Sequence, residues 1–138
     1  MKNMDGYSNP LINMAYNKWK KKIYSRFIEL WTHPDYPPEP IDNGKIKWAE
    51  SKMHFLFPVD YKECIKLIGV VGTSIKLLDA IVEGEYDIHD LSELYNMEEV
   101  VSQSMDWREI GLPEHLIAIG CDCTGNLFCL NASKVDGN

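Results

Sequence analysis

Two short apolar runs near the C-terminus constrain the fold of this chain more than any other feature. They are residues 116–119 (LIAI) and 127–130 (LFCL), separated by a polar stretch that contains Gly120, Asp122 and Gly125. Four consecutive apolar residues bounded by Gly, Asp and Asn are typical of buried strands rather than helices. Glycine also tolerates the positive φ angles of tight turns. The pattern predicts a β-hairpin whose two strands lie side by side in the core.

Helical spacing dominates the N-terminal part of the chain. Pro10 follows Ser8 and Asn9, an arrangement that favours a helix start. Apolar residues then recur every three or four positions and predict an amphipathic helix: Ile12, Tyr16, Trp19, Ile23, Phe27 and Leu30. Basic residues on its other faces predict a solvated outer surface, with membrane or nucleic-acid binding as the alternatives: Lys18, Lys20, Lys21, Lys22 and Arg26. Four prolines between residues 34 and 40 end the helix and predict a surface linker.

The middle of the chain predicts two more helices, between residues 41 and 68. Asp42 or Asn43 is the expected cap of the first, and Gly69 and Gly72 end the second. The apolar positions expected to be buried are Ile46, Ala49, Met53 and Leu56 in the first helix and Tyr61, Cys64, Ile65, Leu67 and Ile68 in the second.

Four shorter predictions cover residues 75–110. Residues 75–81 are predicted to form a strand, and residues 87–90 to cap a short helix that contains Leu91 and Leu94. Residues 97–105 continue with helical spacing, and Trp107 and Ile110 are expected to fold back onto the core. At 138 residues the whole chain is expected to be a single domain.

The net charge of −7 conceals a marked asymmetry. Residues 1–66 carry 11 Lys and Arg against 8 Asp and Glu, whereas residues 67–138 carry 3 against 13. The second half therefore has a charge of −10, which argues against a nucleic-acid ligand because phosphate neutralisation needs lysine and arginine. Two interpretations stay open: a surface for a basic protein partner, or acidity that only keeps the chain soluble.

Targeting features are absent from the sequence. No apolar run approaches the roughly 20 residues of a membrane span, and the first residues do not resemble a secretory signal. We therefore expect a cytoplasmic protein without membrane contact. Four cysteines in a chain of ordinary composition do not predict a disulfide framework, and Cys64 and Cys129 are expected to be small core residues.

The sequence contains no recognisable catalytic or cofactor motif. Cys121, Cys123 and Cys129 offer one tight pair and a third thiol, whereas structural zinc sites usually combine two pairs. Gly69 to Thr73 lacks the lysine of a phosphate-binding loop, and no histidine lies in a metalloprotease pattern. We expect no enzyme activity, no metal and no cofactor.

The most informative surface feature is a segment of carboxylates with interleaved aromatic residues. Aromatic rings among carboxylates favour protein binding, because the rings anchor the partner while the charge accelerates association. The alternative is a solvated acidic face with aromatic rings in the core. The predicted partner-binding residues are Glu83, Glu85, Tyr86, Asp87, Asp90, Glu93 and Tyr95.

Four pieces of the sequence together resemble the SUKH superfamily, also called the SMI/KNR family. They are Ile46-x-x-Ala49-Glu50, Phe57-Pro58-x-Asp60-Tyr61-Lys62-Glu63, Gly72 and the hairpin from Leu116 to Leu130. Family members carry an I-x-x-x-E helix, an L-P-x-D-Y helix start, an N-G turn and a hairpin that ends G-N-L-F-C-L-D. The chain departs from this pattern at Phe57, at Val71 before Gly72, and at the dipeptide Cys123-Thr124.

The resemblance implies a mixed α+β fold, in which helices pack on a twisted, mainly antiparallel sheet. Residues 41–138 are then the family-like region, which is shortened at its C-terminus relative to members that continue with further strands, and residues 1–40 add an N-terminal helix and a linker. The matched residues are expected to be structural, with Asp60 as a helix cap and Tyr61 as a core ring: Glu50, Pro58, Asp60, Tyr61, Gly72, Gly120, Asp122, Gly125, Asn126 and Leu127.

The resemblance also implies a function. Bacterial members are mostly immunity proteins that bind and neutralise a cognate polymorphic toxin, often a nuclease, so the expected partner is a toxin domain. The alternative, suggested by non-bacterial members, is a general scaffold or regulatory interaction module.

Overall fold

The structure is a computed structural model that describes residues 10–87 and 90–134. Within these residues the chain forms five helices and five short strands. The helices are α1 (Pro10–Trp31), α2 (Asn43–Met53), α3 (Val59–Leu67), α4 (Ile75–Glu83) and α5 (Met97–Arg108). The strands are β1 (Phe55–Leu56), β2 (Glu93–Leu94), β3 (Leu116–Cys121), β4 (Leu127–Asn131) and β5 (Ser133–Lys134).

The predicted hairpin is confirmed as β3 and β4, which pair antiparallel with Leu116 opposite Asn131 and Cys121 opposite Leu127. A register shift between Ala118 and Gly120 bends the pair. β2 adds to the free side of β3, so β3 is the central strand of a three-stranded antiparallel sheet. A second sheet pairs β1 with β5. The fold is therefore α+β, as expected.

Helix α5 covers the central strand. α5 packs on β3, and α2 in turn packs on α5. β4, at the side of the three-stranded sheet, is only half-buried. The most deeply buried large side chains, each less than 2% exposed, are Ile46, Met97, Ile117, Val100 and Ser104.

Helix starts follow the sequence closely. Among the described residues α1 begins at Pro10, and Asp42 caps α2 by accepting the backbone N–H of Lys45 at 2.9 Å. The expectation for α3 was wrong, because its N-cap is Pro58 and Asp60 lies inside the first turn. The proline fits this position because it has no N–H to leave unpaired. Asp60 instead forms an ion pair with Lys20 of α1.

The predicted strand at residues 75–81 is wrong: this segment is the helix α4. Ser74 precedes it in an extended conformation, and Leu77, Leu78 and Ile81 share the helical spacing of one apolar face. A run this short satisfies both strand and helix patterns, so periodicity cannot separate them. Contact with α1 decides in favour of the helix.

Three smaller expectations also fail. Leu94 lies in β2 rather than in a helix, while Ile88 and His89 of the predicted helical segment fall outside the described residues. Trp107 is 37% exposed and Ile110 is 75% exposed, so neither folds back onto the core. Leu56 is also exposed, because Phe55 takes the inward position of the two-residue strand.

Helix α1 does not bury its predicted apolar face. Most of that stripe is exposed, whereas Lys20 is buried between α1 and α3. The end of α1 is held by backbone bonds to the segment before α4, from Ser74 N–H to Trp31 O and from His33 N–H to Gly72 O. The exposed members of the stripe are Ile12, Tyr16, Trp19 and Ile23.

Candidate partner-binding surface

The acidic segment begins where α4 ends. Gly84 caps the helix through its N–H to Ala80 O, and Glu85 follows with a positive φ of 52°. A Cβ atom on Gly84 would lie 2.4 Å from the ring of Tyr86, so the ring rests directly on the glycine. The lack of a side chain at Gly84 therefore holds Tyr86 close to the helix end.

Five of the seven predicted binding residues are exposed, four at the end of α4 and the turn after it and one on β2. They include Tyr86, whose side chain is 67% exposed. None of the four carboxylates lies within 4 Å of a lysine, arginine or histidine nitrogen among the described residues. We call these residues the acidic surface: Glu83, Glu85, Tyr86, Asp87 and Glu93.

Asp90 and Tyr95 lie inside the protein instead. Asp90 is 7% exposed and accepts the backbone N–H of Cys123, so it connects the acidic segment to the hairpin loop. Tyr95 is also 7% exposed and belongs to the core, and burial, followed by the neighbouring Cys121 thiol, raises the pKa of its hydroxyl. Because both residues are buried, they are not part of the exposed acidic surface.

Glu93 lies between the exposed surface and the sheet. Its carboxylate is within 3.9 Å of the Cys121 sulfur on the neighbouring strand. Partial burial and the proximity of the Glu99 carboxylate raise the pKa of Glu93. Burial and the neighbouring like charge both disfavour the charged form of Glu93.

Other acidic residues of the second half already have partners. Glu99 forms a reciprocal capping box with Asn96, and Glu98 lies 3.4 Å from the Lys45 ammonium. Arg108, the arginine of this region, donates to the backbone carbonyls of Glu114 and Leu116 at 2.7 and 3.1 Å. It therefore neutralises none of the carboxylates of the acidic surface.

The hairpin loop is organised by Asp122. Its carboxylate accepts the backbone N–H groups of Thr124 and Asn126 at 2.9 Å each, together with both their side chains. Burial by itself raises the pKa of Asp122, but the hydrogen bonds from Asn126 and Thr124 outweigh it and lower that pKa to about 2. Gly125 supplies the positive φ of 86° that the loop needs.

Glu50 has a role that its position in the sequence did not reveal. Its buried carboxylate accepts the N–H of Phe57 at 2.7 Å and lies 3.3 Å from the Lys62 ammonium. It joins the end of α2 to the start of α3. Tyr61 packs its ring edge-on against Phe57, and burial raises the pKa of the Tyr61 hydroxyl. The sequence feature that could have indicated this role is a glutamate on the apolar side of a helix, seven residues before Phe57.

Gly72 and Gly120, two glycines of the family motifs, lie where another part of the chain packs closely against their backbone. A Cβ atom on Gly120 would lie 2.4 Å from the Glu93 carbonyl oxygen of β2. A Cβ atom on Gly72 would lie 2.8 Å from Cβ of Tyr36, and Gly72 also forms a bridge to Glu93. Both glycines therefore set the position of β2, and with it the position of Glu93. Leu127 pairs with Cys121 at the loop end of the hairpin.

The cysteines are spread over the sheet and the loop. Cys121 and Cys129 are half-buried on β3 and β4, Cys64 is half-buried on α3, and Cys123 is exposed. Within residues 10–87 and 90–134, no three His, Cys, Asp or Glu side chains are grouped so that they would hold a metal ion. Over the same residues, no helix has the length and apolar content needed to cross a bilayer.

A family model described as SMI1-KNR4 cell-wall (SUKH_5) matches residues 25–138. The chain belongs to the SUKH family. The match contains every motif residue described above and the whole acidic surface of this SUKH protein, whereas residues 10–24 of α1 precede it. No curated protein and no solved structure shows significant similarity to the chain.

Proposed function

We propose that this SUKH protein is a non-enzymatic bacterial immunity protein that binds a cognate toxin domain through the acidic surface. The observation that carries the proposal is a set of four exposed carboxylates, three of them next to Tyr86 in the chain and the fourth on β2, none of them paired with a cation in the described parts of the chain. Family membership supports a binding protein whose partner differs from member to member.

The charge of the acidic surface favours a basic partner, and a nuclease is the most suitable class. Nucleases bind phosphates through lysine and arginine, so a surface of carboxylates competes for the same groups. Exposed carboxylates without a paired cation attract a basic partner and raise the association rate. The Tyr86 ring provides the apolar contact that slows dissociation. The partner we propose is therefore a toxin domain with a basic active-site face, in the cytoplasm of the producing cell.

The test uses the toxin domain encoded beside this gene. We expect the full chain to bind that domain and to block its activity at a stoichiometric ratio. Reversing Glu83, Glu85, Asp87 and Glu93 to lysine should weaken binding at least tenfold, mainly through a slower association rate. The matched control reverses four exposed carboxylates elsewhere: Glu39, Asp106, Glu109 and Glu114.

Both sets of substitutions change the net charge equally, so they separate the acidic surface from general electrostatics. Equal loss of affinity in the two variants would contradict the assignment of the surface. A toxin domain that neither binds nor is inhibited would contradict the immunity function. A partner without toxic activity would instead support the scaffold interpretation.

A further inference from the structure

Helix α1 contacts the rest of the protein along only one side. The Lys20 ammonium lies 2.6 Å from Asp60 and 2.7 Å from Glu63, both on α3. Together with the backbone bond from Ser74 to Trp31 and the packing of α1 on α4, this ion pair sets the rotation of the helix. Successive helical residues are about 100° apart, so Trp19 is turned well away from the side that holds Lys20.

That rotation leaves an apolar groove along α1. Trp19 is 57% exposed and Ile23 is 43% exposed, and the Trp19 ring stacks on Tyr16 with 6.0 Å between ring centroids. Aromatic rings of this size are usually buried, because each removes a large apolar area from water. The groove has a volume of about 450 Å³ and is lined by Trp19, Lys22, Ile23, Arg26, Phe27 and Trp31.

Positive charge borders the groove on its open side. Lys18, Lys22 and Arg26 recur every fourth residue and so form one row along the helix. Neither lysine lies within 4 Å of a carboxylate in the described residues, and Arg26 has only a 3.8 Å contact with Glu29, an exposed pair of small energetic value. Glu29 is the single acidic residue of α1.

These properties select among the possible occupants. A second copy of α1 would bring two rows of cations together, which opposes antiparallel pairing. An anionic bilayer would attract the same row, but its extended charged surface also repels the −10 charge of residues 67–138, whereas a helix seated in the groove interacts mainly with the cations beside it. A helical protein segment with apolar residues on one side and carboxylates beside them fits both the groove and the charge.

We propose that the groove of α1 binds an acidic amphipathic helix of a second protein. The apolar side chains of that helix lie between Trp19, Ile23 and Phe27, and its carboxylates face Lys22 and Arg26. Three of the six lining residues precede the matched family region and three lie within it. The proposal is independent of the toxin-binding function, because it uses the opposite charge and a different helix.

The test measures binding of labelled helical peptides of about 20 residues to the full chain by fluorescence anisotropy. One peptide has leucines at helical spacing with glutamates between them, and the matched peptide has lysines in place of the glutamates. We expect the glutamate peptide to bind despite the net negative charge of the protein. Lys22→Glu with Arg26→Glu should weaken this binding at least tenfold, and Ile23→Ser at least threefold.

The control variant is Lys52→Glu with Lys76→Glu, which makes the same change of net charge at exposed positions outside α1. This variant should bind the glutamate peptide within twofold of the unmodified chain. Circular dichroism of all variants checks that the fold is retained. Neither pair of substitutions changes a residue of the acidic surface, so toxin binding is a separate readout.

Several results would overturn the proposal. These are absence of glutamate-peptide binding, equal binding of the lysine peptide, or equal effects of the groove and control variants. Binding to phosphatidylserine vesicles without peptide binding would assign the groove to lipid. Concentration-dependent dimerisation that Lys22→Glu with Arg26→Glu abolishes would assign it to a second copy. Peptide binding that appears only after deletion of residues 2–9 would assign it to the chain's own N-terminus.

Discussion

The carboxylate of Glu50 accepts the backbone N–H of Phe57 at 2.7 Å, and both residues are buried. This hydrogen bond links two pieces of the family pattern that are separate in sequence, the glutamate of α2 and the residue before Pro58. A buried N–H without an acceptor is costly, so this bond fixes the backbone conformation of the segment that leads into α3.

Glu50→Ala should lower the free energy of unfolding by about 2–3 kcal/mol, because it leaves the Phe57 N–H unpaired and removes a charged acceptor. Urea denaturation followed by circular dichroism measures the effect. Lys62→Met is the control, since it removes the 3.3 Å ion pair but keeps the hydrogen bond. Glu50 keeps its hydrogen bond from Phe57 in that variant, so the loss should be smaller than that of Glu50→Ala. Equal losses would show that the ion pair, and not the backbone contact, stabilises this corner.

We expect the hydroxyl of Ser104 to contribute to the free energy of unfolding as well. It is fully buried in α5 and accepts the N–H of Ala118 at 2.9 Å, beside the register shift of β3. Ser104→Ala should cost about 1–3 kcal/mol, because the Ala118 N–H would have no acceptor in the core. Ser102→Ala, an exposed change on the same helix, should stay within about 0.5 kcal/mol. A small effect at Ser104 would mean that the Ala118 N–H finds another acceptor.

Gly120→Ala should separate β2 from β3 without unfolding the hairpin. The added Cβ would lie 2.4 Å from the Glu93 carbonyl oxygen, so the strand that carries Glu93 must move. Hydrogen exchange measures this directly. Protection of the Ser92 and Tyr95 amides, which bond to Cys121 and Ile119, should fall, while amides shared by β3 and β4 keep theirs. Uniform loss of protection would contradict a local effect.

Substitution of Tyr86 tests how much the acidic surface contributes to the free energy of toxin binding. Tyr86→Ala should weaken toxin binding about tenfold or more, as expected for an aromatic anchor at the centre of an interface. Its side chain is 67% exposed, so the free energy of unfolding should change by less than about 0.5 kcal/mol. Tyr36→Ala is the control, because Tyr36 is 64% exposed but lies outside the acidic surface. Equal binding losses would show that general surface area, and not Tyr86, is recognised.

Asp122 predicts a contribution to stability that depends on pH. Its pKa in the folded protein is about 2, below the value of about 3.9 for an unfolded chain. The unfolded state therefore takes up the proton first as the pH falls, and the stabilisation, complete above about pH 4, is lost between about pH 4 and pH 2.

The comparison is between the unmodified chain and Asp122→Asn, by urea denaturation from pH 7 to pH 2. The stability difference between the two proteins should be constant at high pH and shrink in the window given above. Asp79→Asn, a change at an exposed residue of α4, controls for the lost charge. A difference that does not change with pH would contradict the role of the Asp122 carboxylate.

The sequence alone determined the elements whose identity depends on neighbouring residues. The hairpin, the Asp42 cap and α5 were predicted correctly, because turn chemistry, capping and apolar spacing act over a few residues. The four separated motifs also indicated the family, and the match over residues 25–138 confirms it.

Tertiary structure decided the rest, because it depends on what each face meets. Residues 75–81 became a helix through contact with α1, and the apolar stripe of α1 stayed exposed because the pairing of Lys20 with Asp60 and Glu63 set the rotation of that helix. Burial likewise removed Asp90 and Tyr95 from the predicted binding residues and left five on the surface. Spacing in the sequence specifies which side chains share a face, but only packing against distant segments selects the face that is buried.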